Sequence, residues 1–374
     1  MEAVVSVVES YQKYLPADVA VQYLDSAGRP TPSTARYPRP DGARLVEMYR
    51  KMVLGRRFDE QATALTKQGR LAVYPSSRGQ EACQIAAAMS LHPRDWIFPT
   101  YRDSMALVAR GVDPVEVLAM FAGDWHCCYN PVAHRAAPQC TPLATQLLHA
   151  VGLAHGHTCN RNELVVLALC GDGATSEGDF HEALNFAAVL KAPVIFLVQN
   201  NGFAISVPLA RQSAAPSLAH KGVGYGIGSE QVDGNDPVAM LAILDEARRY
   251  VLDGNGPVIV EAHTYRIDGH TNADDPTRYR ASDEVQRWAE RDPIARLDAY
   301  LRAVGLIDDA DVEAIKAEAE TLAATVRTGM NADRPVDPDD LFRFVFAEPT
   351  PALREQHAQA RAELASELEP VAPQ

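Results

Sequence analysis

LVVLALCGDGATSEGDFHEALNFAAVLKAPVIFLVQNNGFAIS, residues 164–206, reads as strand, sharp turn, helix, strand and turn. The first apolar run, Leu164–Cys170, stops at Gly171-Asp172-Gly173, and the second, Pro193–Gln199, stops at Asn200-Asn201. Between them Phe180, Ala183, Leu184, Ala187, Ala188 and Leu190 recur near helical spacing, and Ser176 is placed to cap that helix. A strand–helix–strand unit of this length makes parallel neighbours joined by a crossover. Asp172 and Asn201 then fall at the carboxyl ends of nearby strands, where open α/β sheets bind ligands.

The residue types at those ends suit one chemistry. Asp172 offers an anionic oxygen, Asn201 an amide oxygen, and the main chain just beyond, at Phe203, a carbonyl. Magnesium favours such hard oxygen donors and is commonly held by one or two carboxylates together with substrate phosphates. Gly171 and Gly173 permit a tight turn and let a phosphate approach the backbone. The start of the following helix adds partial positive charge. The pattern therefore predicts a site for a cation–diphosphate pair.

Outward from this core, Leu45–Lys67 reads as a long amphipathic helix and Gly79-Gln80-Glu81-Ala82 begins another. Pro257–His263 reads as a further strand, and the chain from about Asp283 is helical, Ala/Glu-rich and charged. Residues 1–42 form a Pro-, Ser- and Gly-containing arm with little periodicity. The whole predicts a doubly wound, mostly parallel α/β sheet in a domain spanning 43–345, followed by a charged helical tail at 346–374.

Composition excludes other classes. A chain of 374 residues buries a sizeable core, and its net charge of −14 argues against nucleic-acid binding. No apolar run is long enough to span a membrane, and the start lacks the features of a signal peptide. The six cysteines show no CxxC pair or zinc-finger spacing, which predicts a reduced, cytoplasmic protein.

Gly171-Asp172-Gly173, residues 174–199 and then Asn200-Asn201 resemble the thiamine-diphosphate signature. With the surrounding segments, the chain resembles the alpha subunit of the decarboxylating first component of 2-oxo acid dehydrogenase complexes, the pyruvate and branched-chain enzymes among them. That resemblance runs from about Leu45 to about Arg280. It implies a thiamine-diphosphate-binding fold, with Asp172, Asn201 and the Phe203 carbonyl holding Mg2+. It also implies that Tyr101, Arg102, Thr141, Leu143, Gly171, Asp172, Gly173, Ala174, Asn201, Arg266 and His270 face the cofactor. Leu143 would sit beneath it, and His270 and His126 would be the catalytic histidines. Cys140 stands where branched-chain relatives often have a serine that helps bind K+, which puts that ion in doubt. Gln199 stands where the mammalian branched-chain enzyme has a diphosphate-binding arginine and Gram-positive pyruvate enzymes a glutamine, and Thr271 where mammalian relatives carry a phosphorylated serine.

The activating glutamate of thiamine enzymes has no second α/β domain to sit on here. The resemblance therefore implies a separate beta subunit, an α2β2 heterotetramer, and transfer of the acyl group to a lipoyl domain. Pyruvate is slightly favoured as substrate; 3-methyl-2-oxobutanoate and acetoin are the alternatives. A nicotinamide-binding dehydrogenase would need GxGxxG between a strand and a helix. The run Gly222–Gly228 has the glycines but no apolar strand before it, and reads as a loop.

Overall fold

The computed structural model describes residues 13–31, 37–123, 129–332 and 337–368. The apolar runs of the sequence form a five-stranded sheet. Its strands are β1 (Trp96–Phe98), β2 (Val166–Gly171), β3 (Val194–Asn200), β4 (Gly228–Asp233) and β5 (Val258–His263). They lie in the order β1-β2-β3-β5-β4, and every neighbouring pair is parallel. All five carboxyl ends therefore emerge along one edge. The register sets Gly171 beside Gln199 and Asn200 beside His263, bringing the turns after β2, β3 and β5 side by side.

Both faces of the sheet are buried, which is why β2, β3 and β5 read as continuous apolar runs. Leu167, Leu169, Ile195 and Leu197 join one core with α1 (Gly42–Lys67), α2 (Glu81–Met89) and α6 (Pro237–Leu252). Val166, Ala168, Cys170, Phe196 and Val198 join a second core with α4 (Thr145–Cys159) and α5 (Gly178–Leu190). The short α3 (Ser104–Ala109) follows β1. Helix α5 places Phe180, Ala183, Leu184 and Ala187 against the sheet and leaves Phe186 and Val189 outside. Truncating Phe180 to alanine would cost about 3–5 kcal/mol through the cavity it leaves.

Two local readings change. Ser176 does not cap α5: residues Asp172–Ser176 wind into a 3-10 turn closed by Thr175 Oγ1 on the Asp172 carbonyl (2.8 Å), and the helix starts at Gly178. The Ser176 hydroxyl instead donates to the Gln212 carbonyl at 3.3 Å. The glycine-rich run is not all loop either, since His220–Val223 is a helical turn and Gly228 begins β4.

In the arm, Val21 adds a single parallel bridge to the outer side of β4, bonded to Gln231 and Asp233. Tyr23 and Leu24 are buried, and their amides donate to Asp236, the carboxylate that also caps α6. The chain divides into two compact units, Met1–Met330 and Asn331–Gln374. In the second, Asp339 accepts from His357 (2.7 Å) and pairs with Arg361. Among the described residues no helix is long and apolar enough to cross a membrane.

Candidate functional site

At the carboxyl edge of the sheet the turns after β1, β2, β3 and β5 surround a cleft of about 750 Å³, mouth included. Its walls include Tyr101, Arg102, Leu143, Gly171, Asp172, Gly173, Ala174, Asn201, Phe203, Arg266 and His270. Of the residues singled out in the sequence, Thr141 is exposed and does not line the cleft, and His126 lies outside the described residues.

One wall is built from oxygens. Asp172, 1% exposed, is held by two donors, the side-chain amide of Gln212 (2.8 Å) and the main-chain amide of Asn201 (3.3 Å). Burial raises the pKa of its carboxyl, and those bonds oppose the rise. Asn201 gives its Nδ2 to Gln80 (3.1 Å), while its Oδ1 accepts from Phe203 N (3.3 Å). The neighbouring Asn200 turns away, donating to the buried Glu261 at 2.7 Å.

The glycines do different jobs. A Cβ on Gly173 would meet the Ala204 Cβ at 2.7 Å, so the two-stranded ribbon Phe203–Ala204 and Val207–Pro208 can lie against the β2 turn only because residue 173 has no side chain. A Cβ on Gly171 would meet nothing within 4 Å. It would project into the cleft, which is the space a ligand needs.

The opposite wall is cationic. Arg102 donates to the carbonyls of Ser76 (2.8 Å) and His270 (2.9 Å), and its Nη2 lies 3.2 Å from His270 Nδ1. Arg266 approaches the same nitrogen at 3.3 Å, and donates to the Ile205 carbonyl and the Tyr279 hydroxyl. A guanidinium can only donate, so Nδ1 must accept. The proton of neutral His270 therefore sits on Nε2. Burial, reinforced by Arg102 and Arg266, pushes the His270 pKa down to about 4. Arg102 and Arg266 are 5% and 1% exposed, and among the described residues no carboxylate touches either directly; Asp274 reaches Arg266 only through the Tyr279 hydroxyl. Burial and the positive charge of Arg102 lower the pKa of Arg266. Two buried cations with no carboxylate in direct contact are costly.

The rim carries backbone strain. Ala144 (φ 63°) and Ile205 (φ 55°) hold left-handed conformations without being glycine. Such outliers cost of order 1–3 kcal/mol each and gather at functional sites. Both line the cleft, as does Leu143, which is 43% exposed and adds an apolar side chain to the wall. Among the described residues no cluster of three or more His, Cys, Asp or Glu side chains forms a metal site. The candidate donor set has one carboxylate, with amide and carbonyl oxygens beside it.

Sequence reasoning missed Gln80 and Gln212, and gave Gln199 no place in the site. Gln80 and Gln199 line the cleft, and Gln212 binds Asp172. A glutamine in a loop or at a helix start has no periodicity to betray it.

The chain matches the family described as dehydrogenase E1 component over residues 49–327. It is 45% identical over 347 residues to the 3-methyl-2-oxobutanoate dehydrogenase subunit alpha of Mycobacterium tuberculosis, covering 92% of this chain and 94% of that one. It is 38% identical over 319 residues to the pyruvate dehydrogenase E1 component subunit alpha of Acholeplasma laidlawii, covering 84% and 92%. With the corresponding subunit of Staphylococcus epidermidis it shares 35% over 339 residues, covering 90% and 91%.

Proposed function

Because the chain belongs to the dehydrogenase E1 component family, as the alpha subunit of a 2-oxo acid dehydrogenase, we propose that its cleft holds the diphosphate end of thiamine diphosphate with Mg2+. The observation that carries this reading is the pair of buried guanidiniums, with no carboxylate in direct contact, opposite a wall of oxygen donors. Arg102 and Arg266 bring positive charge to the cleft, and each keeps N–H donors beyond those already committed, the Arg266 Nε among them, for phosphate oxygens. His270 offers its Nε2–H as a neutral donor, oriented by the two arginines on its other nitrogen. Asp172 and Asn201, with the carbonyl of Phe203, offer hard oxygens to Mg2+, and the cation's remaining positions suit phosphate oxygens and water. The open space over Gly171 and the close approach at Gly173 fit a ligand lying on the β2 turn. The two-faced helical cover of the sheet supports the doubly wound, thiamine-diphosphate-binding arrangement.

When bound, the thiazolium ring supplies the electron sink that decarboxylation of a 2-oxo acid requires. Leu143, which lines the cleft, would offer that ring an apolar wall. Among the described residues no glutamate lines the cleft, which supports an activating carboxylate supplied by a beta subunit in an α2β2 assembly. The acyl product would pass to a lipoyl domain. His126 is assigned to the same proton-handling region on the resemblance alone.

Pyruvate is the first substrate reading. The 45% identity to the mycobacterial subunit favours a second, 3-methyl-2-oxobutanoate. The test is co-expression with the candidate beta subunit, followed by decarboxylation of both acids with and without thiamine diphosphate and Mg2+. Activity strictly dependent on both additives, and abolished by Asp172→Ala, is expected. An assembled tetramer that binds NAD and not thiamine diphosphate would overturn the reading.

A further inference from the structure

Four buried side chains run head to tail behind the oxygen wall. Asp103 Oδ1 accepts from Gln199 Nε2 at 2.7 Å. Gln199 Oε1 accepts from Gln80 Nε2 at 2.9 Å, and Gln80 Oε1 accepts from Asn201 Nδ2 at 3.1 Å. All four residues are at most 6% exposed, so water does not substitute for these bonds.

The polarity of the run is set at one end. An amide reads the same in either orientation except for which atom donates. The carboxylate of Asp103 is already an acceptor from both the amide and the hydroxyl of Thr100, each at 2.7 Å. As a carboxylate it can only accept again, so Gln199 must present its NH2. Gln199 then shows oxygen to Gln80, which must present its NH2 in turn and show oxygen to Asn201. Asn201 is left with its NH2 inward and Oδ1 on the side of Phe203, against the cleft. Reversing any one amide would set two acceptors or two donors face to face in a dry interior, at about 1–3 kcal/mol for each unsatisfied group.

We propose that Asp103, Gln199 and Gln80 are positioning residues that fix the amide orientation of Asn201, so that its oxygen and not its NH2 faces the cation site. This rests on the reading of the cleft given above. It assigns a task to Gln199, which the motif itself leaves idle. The relay acts through Asn201, although Gln80 and Gln199 themselves also line part of the cleft.

The test measures Mn2+ affinity by electron paramagnetic resonance at saturating thiamine diphosphate, using the full chain purified with its beta subunit, beside the melting temperature without cation. Gln199→Met keeps the volume but breaks the polarity, and is expected to weaken Mn2+ binding about 10–100-fold, the usual effect of losing a partner that orients a ligand. Gln80→Glu keeps an acceptor on Asn201 and is expected to bind Mn2+ at least as tightly as the parent protein. It should also melt lower, since its carboxylate is buried and faces the Gln199 oxygen. Both variants are expected to melt lower, but only Gln199→Met should lose Mn2+ affinity, a split that a merely structural role would not produce. Unchanged Mn2+ affinity in Gln199→Met, or a loss in Gln80→Glu as large as its own, would overturn the relay while leaving the cleft reading intact. A parent protein that binds no Mn2+ with the cofactor would overturn both.

Discussion

Arginines gather at both edges of the sheet, and the two groups behave differently. At the amino edge Arg94, Arg135 and Arg161 line a depression with His157 and Glu163. They are exposed or half-buried, and Arg135 lies over the Trp96 ring. At the carboxyl edge Arg102 and Arg266 are buried and converge on one imidazole nitrogen. Neither group has carboxylate partners among the described residues. At the amino edge water solvates the charge, and an unpaired arginine there demands nothing. At the carboxyl edge the same lack of a partner marks a place prepared for an anion. Burial, more than the number of cations, separates a binding site from a solvated surface.

The largest effect that tests this contrast is expected from Arg266→Ala. Charge-assisted hydrogen bonds contribute about 1.5–3 kcal/mol each, so thiamine diphosphate affinity should fall by about 10–100-fold in a fluorescence titration. The amino-edge variants Arg94→Ala and Arg161→Ala should leave that affinity unchanged. An equal loss from either edge would erase the distinction.

Next in size is a change confined to the hydrogen bond under Asp172. Gln212→Met removes the 2.8 Å donor to its carboxylate and the staple to the Val207 carbonyl. It should weaken Mg2+ binding about tenfold, read from the Mg2+ concentration needed for half-maximal cofactor loading. A shift under twofold would mean that Asp172 is held well enough by Asn201 N alone.

The cationic cluster also writes itself into the pH dependence. His270 titrates near 6.5 when unfolded and is pushed down to about 4 when folded. As pH falls through that window the unfolded chain takes up a proton that the folded one refuses, so stability is lost toward acid. In His270→Gln this component disappears. The melting-temperature gap between the parent and His270→Gln should be constant above pH 6.5 and shift against the parent as pH approaches 4. A gap independent of pH would show that burial and the arginines do not hold His270 neutral. The smallest effect is expected at the amino edge, where Arg161→Ala should alter stability by no more than about 0.5 kcal/mol.

Much of this was legible because the β2–α5–β3 unit is local. Apolar runs ended at Gly171-Asp172-Gly173 and Asn200-Asn201, and the structure puts both turns on one cleft. What was not legible arrives from far along the chain. Gln80 meets Asn201 across 121 positions, and Gln199 meets Asp103 across 96. No periodicity links residues so separated, and an isolated glutamine looks the same on a surface or in a core. The start of α5 escaped for a local reason: the Asp172–Ser176 turn uses the residues that would otherwise form the first helical turn.

The bridge made by Val21 also guards a margin of the sheet. An edge strand offers a ready row of unpaired backbone groups to any other strand. On the β4 side, Val21 occupies the Gln231 carbonyl and the Asp233 amide. On the β1 side, Ala136 and Cys140 form matching bridges to Ile97 and Thr100. The sheet is thus hemmed at both borders by single residues borrowed from distant segments. Shortening the chain from its amino terminus past Val21 would leave the cleft's own residues in place. It would also turn β4 into a sticky margin, and the expected failure is association between chains before any loss of the site.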